Sequence, residues 1–418
     1  MTPRRVAVTG LGLVSPLGAT AADSFAALLA GRSGLRLHAP ADAPKALAVP
    51  AGVCADFDAD ALFGRARAGS LDRYSQIGIA AGLEAWRDAG LAPTPDEDRD
   101  AWGVAWGTGA GGALVLERGY RDLYIGGRER LAPLTVVQAM HNACASHLAI
   151  QFGLGGSCAT YSVACASAAM AIGEAFRRVR SGAAPVMLAG GSEAPLAYGV
   201  IRAWLALQVL APGDADSAAL ACKPFQRERA GLVLAEGGGA LLLEDWARAE
   251  QRGARIYAEL AGYGESCDHS NLVRPSSAGQ ARAVRAALAD AGLAPQDVDY
   301  VNAHATGTRE GDSIEIAALA AVFGAHAAQL AVSATKSAHG HTLGAAGALA
   351  AAVTVLGLHH GVVPATLGDE AALDPDCGGV SHVTGAARRG APLRAALADA
   401  FAFGGSNAVL AFRAHAAH

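Results

Sequence analysis

Aromatic residues are scarce in this 418-residue chain, at 6%, and charged residues make up only 17%. The first shortage excludes a core built mainly on large rings, and the second excludes a disordered polyelectrolyte. What remains is 52% apolar with 52 glycines, so the core must form from Ala, Val and Leu with backbones meeting closely at Gly. None of the seven cysteines (54, 144, 158, 165, 222, 267, 377) makes a C-x-x-C, which argues against a disulfide framework or structural zinc and points to a reducing cytoplasm. No G-x-x-x-x-G-K-[ST] occurs, so the Gly-rich stretches at 107–112 and 237–240 are only loosely like nucleotide loops. Lys plus Arg (33) against Asp plus Glu (38) gives a net charge of -5, which offers nucleic acid no global cationic footprint.

Two segments invite a membrane reading. The N-terminal VAVTGLGLVSP (6–16) follows two arginines, yet it reads as a strand ending in Gly-x-Gly rather than as a signal sequence. His339 to Leu367 carries no Asp, Glu, Lys or Arg, but its four histidines, proline and glycines fit a buried helix plus strand better than a span.

Short apolar runs alternate with Ala-rich helical stretches, the pattern of layered α/β structure with buried strands. Asp88-Ala-Gly-Leu-Ala-Pro93 recurs as Asp290-Ala-Gly-Leu-Ala-Pro295, and each copy precedes a strand, at 102–111 and 300–308. Later in each half a strand runs into a small-residue helix start (162–175 and 335–348), and each half closes with Gly-Gly before a strand (237–245 and 404–413). Three matches in the same order imply a duplicated α/β half, with an active site where the halves meet.

Cys165, in Ser-Val-Ala-Cys-Ala-Ser, lies where an extended segment turns into a helix, whose N-terminus would lower the thiol pKa. His304, in Asn-Ala-His-Ala-Thr-Gly-Thr, ends a strand, and His341, in Lys336-Ser-Ala-His-Gly-His341, lies in the corresponding loop of the second half. Metal ligation by His339, His341, His359 or His360 is disfavoured because no further ligand follows at sensible spacing and Lys336 would repel a cation.

These motifs resemble the β-ketoacyl-carrier-protein synthases, the elongating condensing enzymes of fatty-acid and polyketide synthesis, over essentially the whole chain. The resemblance is carried by VAVTGLGLVSPLG (6–18), VACASA (163–168), LAGGSEA (188–194), KPF with GLVLAEGGG (223–239), VNAHATGT with GDSIE (301–315), KSAHGHTLGAAG (336–347) and FAFGGSN (401–407). It implies the thiolase fold, a five-layered αβαβα sandwich of two halves, here 1–252 with the cysteine and 253–418 with the histidines. It also implies a cytoplasmic dimer, homodimeric or heterodimeric with a related chain-length-factor-like subunit, using no cofactor beyond the phosphopantetheine of an acyl carrier protein.

Under that resemblance Cys165 takes the acyl group, while His304 and His341 stabilise the enolate left when a malonyl thioester loses CO2. Lys336 supports them. The backbone N–H groups of Cys165 and Phe403 form an oxyanion hole, with Phe403 as a gate swung by Gly404 and Gly405. Thr306 and Thr308 hold the pantetheine arm, Ala110 and Thr135 shape the acyl pocket, and Arg65, Arg67, Arg73, Arg128 and Arg130 dock the carrier. The chain departs from the family at Ala350, where an acidic partner for Lys336 is usual, so Lys336 is expected to find another counter-charge, Glu315 or Asp312, or to bear a shifted pKa. It departs also at Ala230, Ala110 and 133–138, which implies an altered acyl pocket suited to a specialised polyketide or polyene chain.

Overall fold

The computed structural model describes residues 3–415 apart from 42, 95, 96 and 391. Its main sheet contains, in chain order, β1 (Val6–Val14), β2 (Gly103–Gly107), β3 (Cys158–Tyr161), β4 (Val186–Glu193), β5 (Gly237–Asp245) and β6 (Ala258–Cys267). It continues with β7 (Tyr300–Asn302), β8 (Ala331–Ser333), β9 (Ser381–His382), β10 (Ala395–Phe401) and β11 (Ser406–Ala414). The spatial order is β9-β8-β7-β10-β11-β6-β1-β5-β4-β2-β3. Read outward from the β6–β1 seam, β1-β5-β4-β2-β3 and β6-β11-β10-β7-β8 have the same succession, which is the duplication expressed as topology. The seam itself is a short antiparallel pairing of Val6–Val8 with Ala258–Leu260.

The helices among the described residues include α1 (Arg73–Asp88), α2 (Ala143–Phe152), α3 (Ser167–Ser181), α4 (Tyr198–Ala206), α5 (Ser277–Ala291), α6 (Arg309–Phe323) and α7 (Ala346–His360). The first two cover the outer face of the N-terminal strands with Trp86, Phe152 and Leu148. On the opposite outer face, α5 and α6 contribute Val284, Ile316 and Leu319. Between the two halves of the sheet lie α3 and α7, where Ala168, Ala169, Ala348 and Ala352 keep the spacing small. Because α7 packs on β4 and β5 as well as on β10 and β11, it is apolar all round. Leu343–His360 is apolar and long enough to cross a membrane, yet nearly all of it is enclosed between the halves as the central core helix.

The repeated hexapeptide has a physical task. Asp88 accepts the Leu11 N–H of β1, and Asp290 accepts the Tyr263 N–H of β6, both where the strand bends. Each aspartate pins its helix to a strand whose glycines let the helix backbone approach. A Cβ at Gly12 would meet Ala81 O, and one at Gly264 would meet Ala283 O, inside any permitted contact.

Candidate active site

After β3 the chain turns through 162–166 into α3. Ala164 takes φ +45°, a left-handed conformation that costs a non-glycine residue on the order of 1 kcal/mol. Ser167 holds the turn, its Oγ accepting the Val163 N–H at 2.8 Å and donating to Ala164 O at 2.7 Å. The strained turn presents Cys165 at the base of a 520 Å³ cavity that Thr306, Thr308, His304, His341 and Phe403 also line.

His341 arrives from the other half. Its N–H donates to Val233 O and its carbonyl accepts the Ala235 N–H, so the extended segment 233–235 fixes the backbone on both sides. Nε2 of His341 then lies 3.1 Å from Cys165 Sγ. His304 follows β7, and its own N–H and that of Ala305 donate to the Glu315 carboxylate at 2.7 Å each. The two imidazoles stand edge to face, with centroids 5.3 Å apart. One ligand atom from each of Cys165, His304 and His341 falls within 4.8 Å of the others, a spacing that also suits proton exchange around the thiol.

Burial dominates the electrostatics. It pushes the Cys165 thiol up to about 12, against the opposing charge of Lys336 and the backbone N–H groups of Phe403 and Cys165. The lowered pKa expected from a helix N-terminus is therefore reversed. The helix starts only at Ser167, and desolvation outweighs it. Both catalytic-site imidazoles are held well below the usual histidine range, first by burial and then by Lys336. They are neutral at pH 7.

Lys336 is 3% exposed, and burial lowers its pKa while the Glu315 charge is the largest influence raising it; Asp312 contributes less. The expected counter-charge is thus present on α6. A further buried carboxyl, Asp399 on β10, was not anticipated from sequence. It is 1% exposed, neither oxygen has a hydrogen-bond partner among the described residues, and burial with the Glu315 charge raises its pKa well above the usual range. Glu193, inside the LAGGSEA motif, has a role that the motif alone does not state. Its carboxylate receives the N–H groups of Gly109, Ala110 and Gly344, so it ties the two halves beside the nucleophile.

The other expected residues divide. Gly404 and Gly405 sit at φ +86° and +76°, conformations open to glycine, immediately after Phe403. Thr306 and Thr308 place their hydroxyls 3.2 Å apart on the cavity wall. Ala110 and Thr135 do not line this cavity. Ala110 is engaged with Glu193, and Thr135 lines a separate 230 Å³ cavity with Arg128 and Arg130. That second cavity also includes Ala68 and Gly69, so the segments bearing Arg65, Arg67, Arg128 and Arg130 converge, and all four arginines are exposed. Arg73 is the exception: it turns inward, pairs with the buried Glu236 at 2.9 Å and donates to Cys54 O, which removes it from a docking face.

Residues 3–249 match the family described as beta-ketoacyl synthase, N-terminal domain, and residues 257–369 match beta-ketoacyl synthase, C-terminal domain. The chain is 41% identical to Nodulation protein E of Rhizobium sp. (strain N33), covering 98% of this chain and 99% of that protein. It is 37% identical to 3-oxoacyl-[acyl-carrier-protein] synthase 2 of Vibrio cholerae, covering 99% and 100%. A solved type II polyketide ketosynthase, bound to a hexaketide and in complex with its acyl-carrier protein, superposes with a TM-score of 0.89 at 30% identity, covering 99% of this chain and 100% of that one.

Proposed function

The chain belongs to the β-ketoacyl synthase family, and from that premise we propose how this site works as an elongating ketosynthase, an acyltransferase that condenses an acyl thioester with a malonyl thioester. The observation that carries the assignment of roles is the 3.1 Å approach of His341 Nε2 to Cys165 Sγ, with His304 perpendicular beside it.

The thiol proton passes toward the imidazole as Sγ attacks the carbonyl carbon of a carrier-bound acyl thioester. The carrier thiolate leaves with a proton, and the acyl group remains on Cys165. The backbone N–H groups of Cys165 and Phe403 converge on the sulfur and hydrogen-bond the developing oxyanion. A malonyl thioester then enters past Thr306 and Thr308. Its C–C bond breaks to release CO2, and the electron pair forms an enolate whose oxygen receives hydrogen bonds from neutral His304 and His341. The enolate carbon attacks the acyl thioester, the new C–C bond lengthens the chain by two carbons, and Cys165 is freed. Burial keeps both imidazoles neutral, and the charge of the buried Lys336 adds to that effect.

The substrates ride on the phosphopantetheine of an acyl carrier protein, and the reaction calls for no other cofactor. Arg65, Arg67, Arg128 and Arg130 form the cationic docking face for that acidic carrier. The working unit is a cytoplasmic dimer of this chain or a heterodimer with a related subunit. The exposed Tyr124, Ile125 and Val136, and separately the open sheet edge at β3, offer surface to cover. The two halves divide at 252/253. A non-catalytic chain-length-factor role is disfavoured because the complete Cys-His-His set is assembled.

Intact-mass spectrometry of wild type and Cys165→Ala with an acyl carrier, followed by malonyl carrier, tests the mechanism. A mass gain on wild type alone, discharged as ketoacyl product when malonyl arrives, is expected. Acylation of the Cys165→Ala chain would overturn it.

A further inference from the structure

One wall of the catalytic cavity takes no part in the mechanism above. Trp204, on α4, lines the cavity, and its indole stacks on the Phe403 ring with centroids 5.9 Å apart and planes 21° apart. The backbone at Phe403 is held in a turn by the Ala402 N–H on Ser406 O and the Gly405 N–H on Ala402 O, while the ring itself has Trp204 as its stacking partner. Gly404 beyond it is exposed, has open space where a Cβ would stand, and is tied through one N–H to Leu272 O; Gly405 O receives the Asp268 N–H. Leu272 is itself 77% exposed on the cavity rim, so this anchor belongs to the surface rather than to the core. A ring that lines the cavity over the nucleophile, carried on a two-glycine backbone, takes its resting place from the side chain it lies against.

We propose that Trp204 is the positioning residue of the gate: its indole face holds Phe403 over the passage to Cys165 and so sets how readily long apolar groups reach the thiol. The inference rests on the ketosynthase reading for its biological meaning, since there Phe403 must move on every acylation. The physical claim concerns access alone. A stacked aromatic pair beyond its burial is worth a shift of roughly twofold to tenfold in the balance between ring positions.

The test compares labelling of Cys165 by iodoacetamide, a small probe of thiol reactivity, with labelling by N-dodecylmaleimide, a long apolar probe, read at the Cys165 peptide by mass spectrometry. In Trp204→Ala the long-probe rate, normalised to the small probe, should rise roughly twofold to tenfold. Trp204→Phe, which keeps an aromatic face, should return most of the wild-type ratio. The double variant Trp204→Ala with Phe403→Ala should label like Phe403→Ala alone, because a latch has no effect once the gate is removed. An unchanged ratio in Trp204→Ala, or effects that multiply in the double variant, would overturn the proposal. Labelling needs only a thiol and a path, so it stands apart from the functional reading, which fails separately if acyl carriers leave the wild-type mass unchanged.

Discussion

Gly107→Ala should disable the enzyme without unfolding it. A Cβ at Gly107 would lie 2.3 Å from Ala168 N and 2.4 Å from Ala168 Cα and Ser167 C, about 1 Å short of the 3.4 Å at which ordinary contact begins. All three atoms are helix backbone in the first turn of α3, and Cys165 is two residues upstream of that turn. The helix cannot simply slide away, because on its other side a Cβ at Gly347 of α7 would already lie 2.6 Å from Ala169 N. The overlap therefore resolves as a shift of about 1 Å in the nucleophile turn, where misplacement on that scale costs about 10²-fold in rate. Overpacking of a filled core costs about 1–3 kcal/mol in stability. Gly262→Ala is the matched control: its Cβ would meet Ala287 O and Ala291 N at 2.6 Å, a comparable overlap between β6 and α5 on the outer face. Single-turnover acylation of Cys165, followed by intact mass beside a thermal melt, separates the two. Both variants should lose stability, and Gly107→Ala alone should lose about two orders of magnitude in acylation. If it slows acylation no more than Gly262→Ala does, the argument that these glycines seat the nucleophile is wrong.

With the Cys165 thiol held up at about 12, its iodoacetamide labelling should rise about tenfold per pH unit from 6 to 9; a plateau near pH 7 would show a stabilised thiolate instead. Asp399, raised by burial, keeps its proton in the folded state at pH values where the unfolded chain has lost it, so it makes stability fall as pH climbs from about 4 through the folded pKa. Asp399→Asn should therefore raise the melting temperature more at pH 8 than at pH 5, and equal shifts at both would refute the assignment. Charge reversal at Arg65 or Arg128 should slow carrier association most at low ionic strength, measured by stopped flow, whereas reversal at Arg73 should act through stability because Glu236 loses its partner.

What the sequence made legible follows from which residues have one physical use. Cys165, His304 and His341 could be paired before any coordinates because each sits at a strand end in a matching position of a duplicated half, and the duplication is audible in a hexapeptide whose aspartates both anchor a bent strand. β10 was illegible for the opposite reason. Its sequence, AALADAF, is rich in alanine, which favours helix in isolation, and it becomes a strand only because β7 and β11 flank it. Asp399 was hidden with it, since a lone acid in an alanine run reads as a solvated helix face until the strand carries it into the interior. The same context dependence explains Cys165 and Arg73. Local rules gave the thiol a low pKa and the guanidinium a place on the surface, whereas the fold buries the first and gives the second a private carboxylate. Residue types thus identified the chemistry, but the sign of its electrostatics depended on burial, a property of the assembled layers. Where the resemblance leads one to expect an acid opposite Lys336 the chain has Ala350, whose carbonyl accepts an Asn302 side-chain N–H, and Glu315 and Asp312 on α6 are among the groups that raise the pKa of that lysine. A substitution such as Ala350→Glu would accordingly add a further buried carboxyl to an interior where Glu315, Asp312 and Asp399 already interact with Lys336.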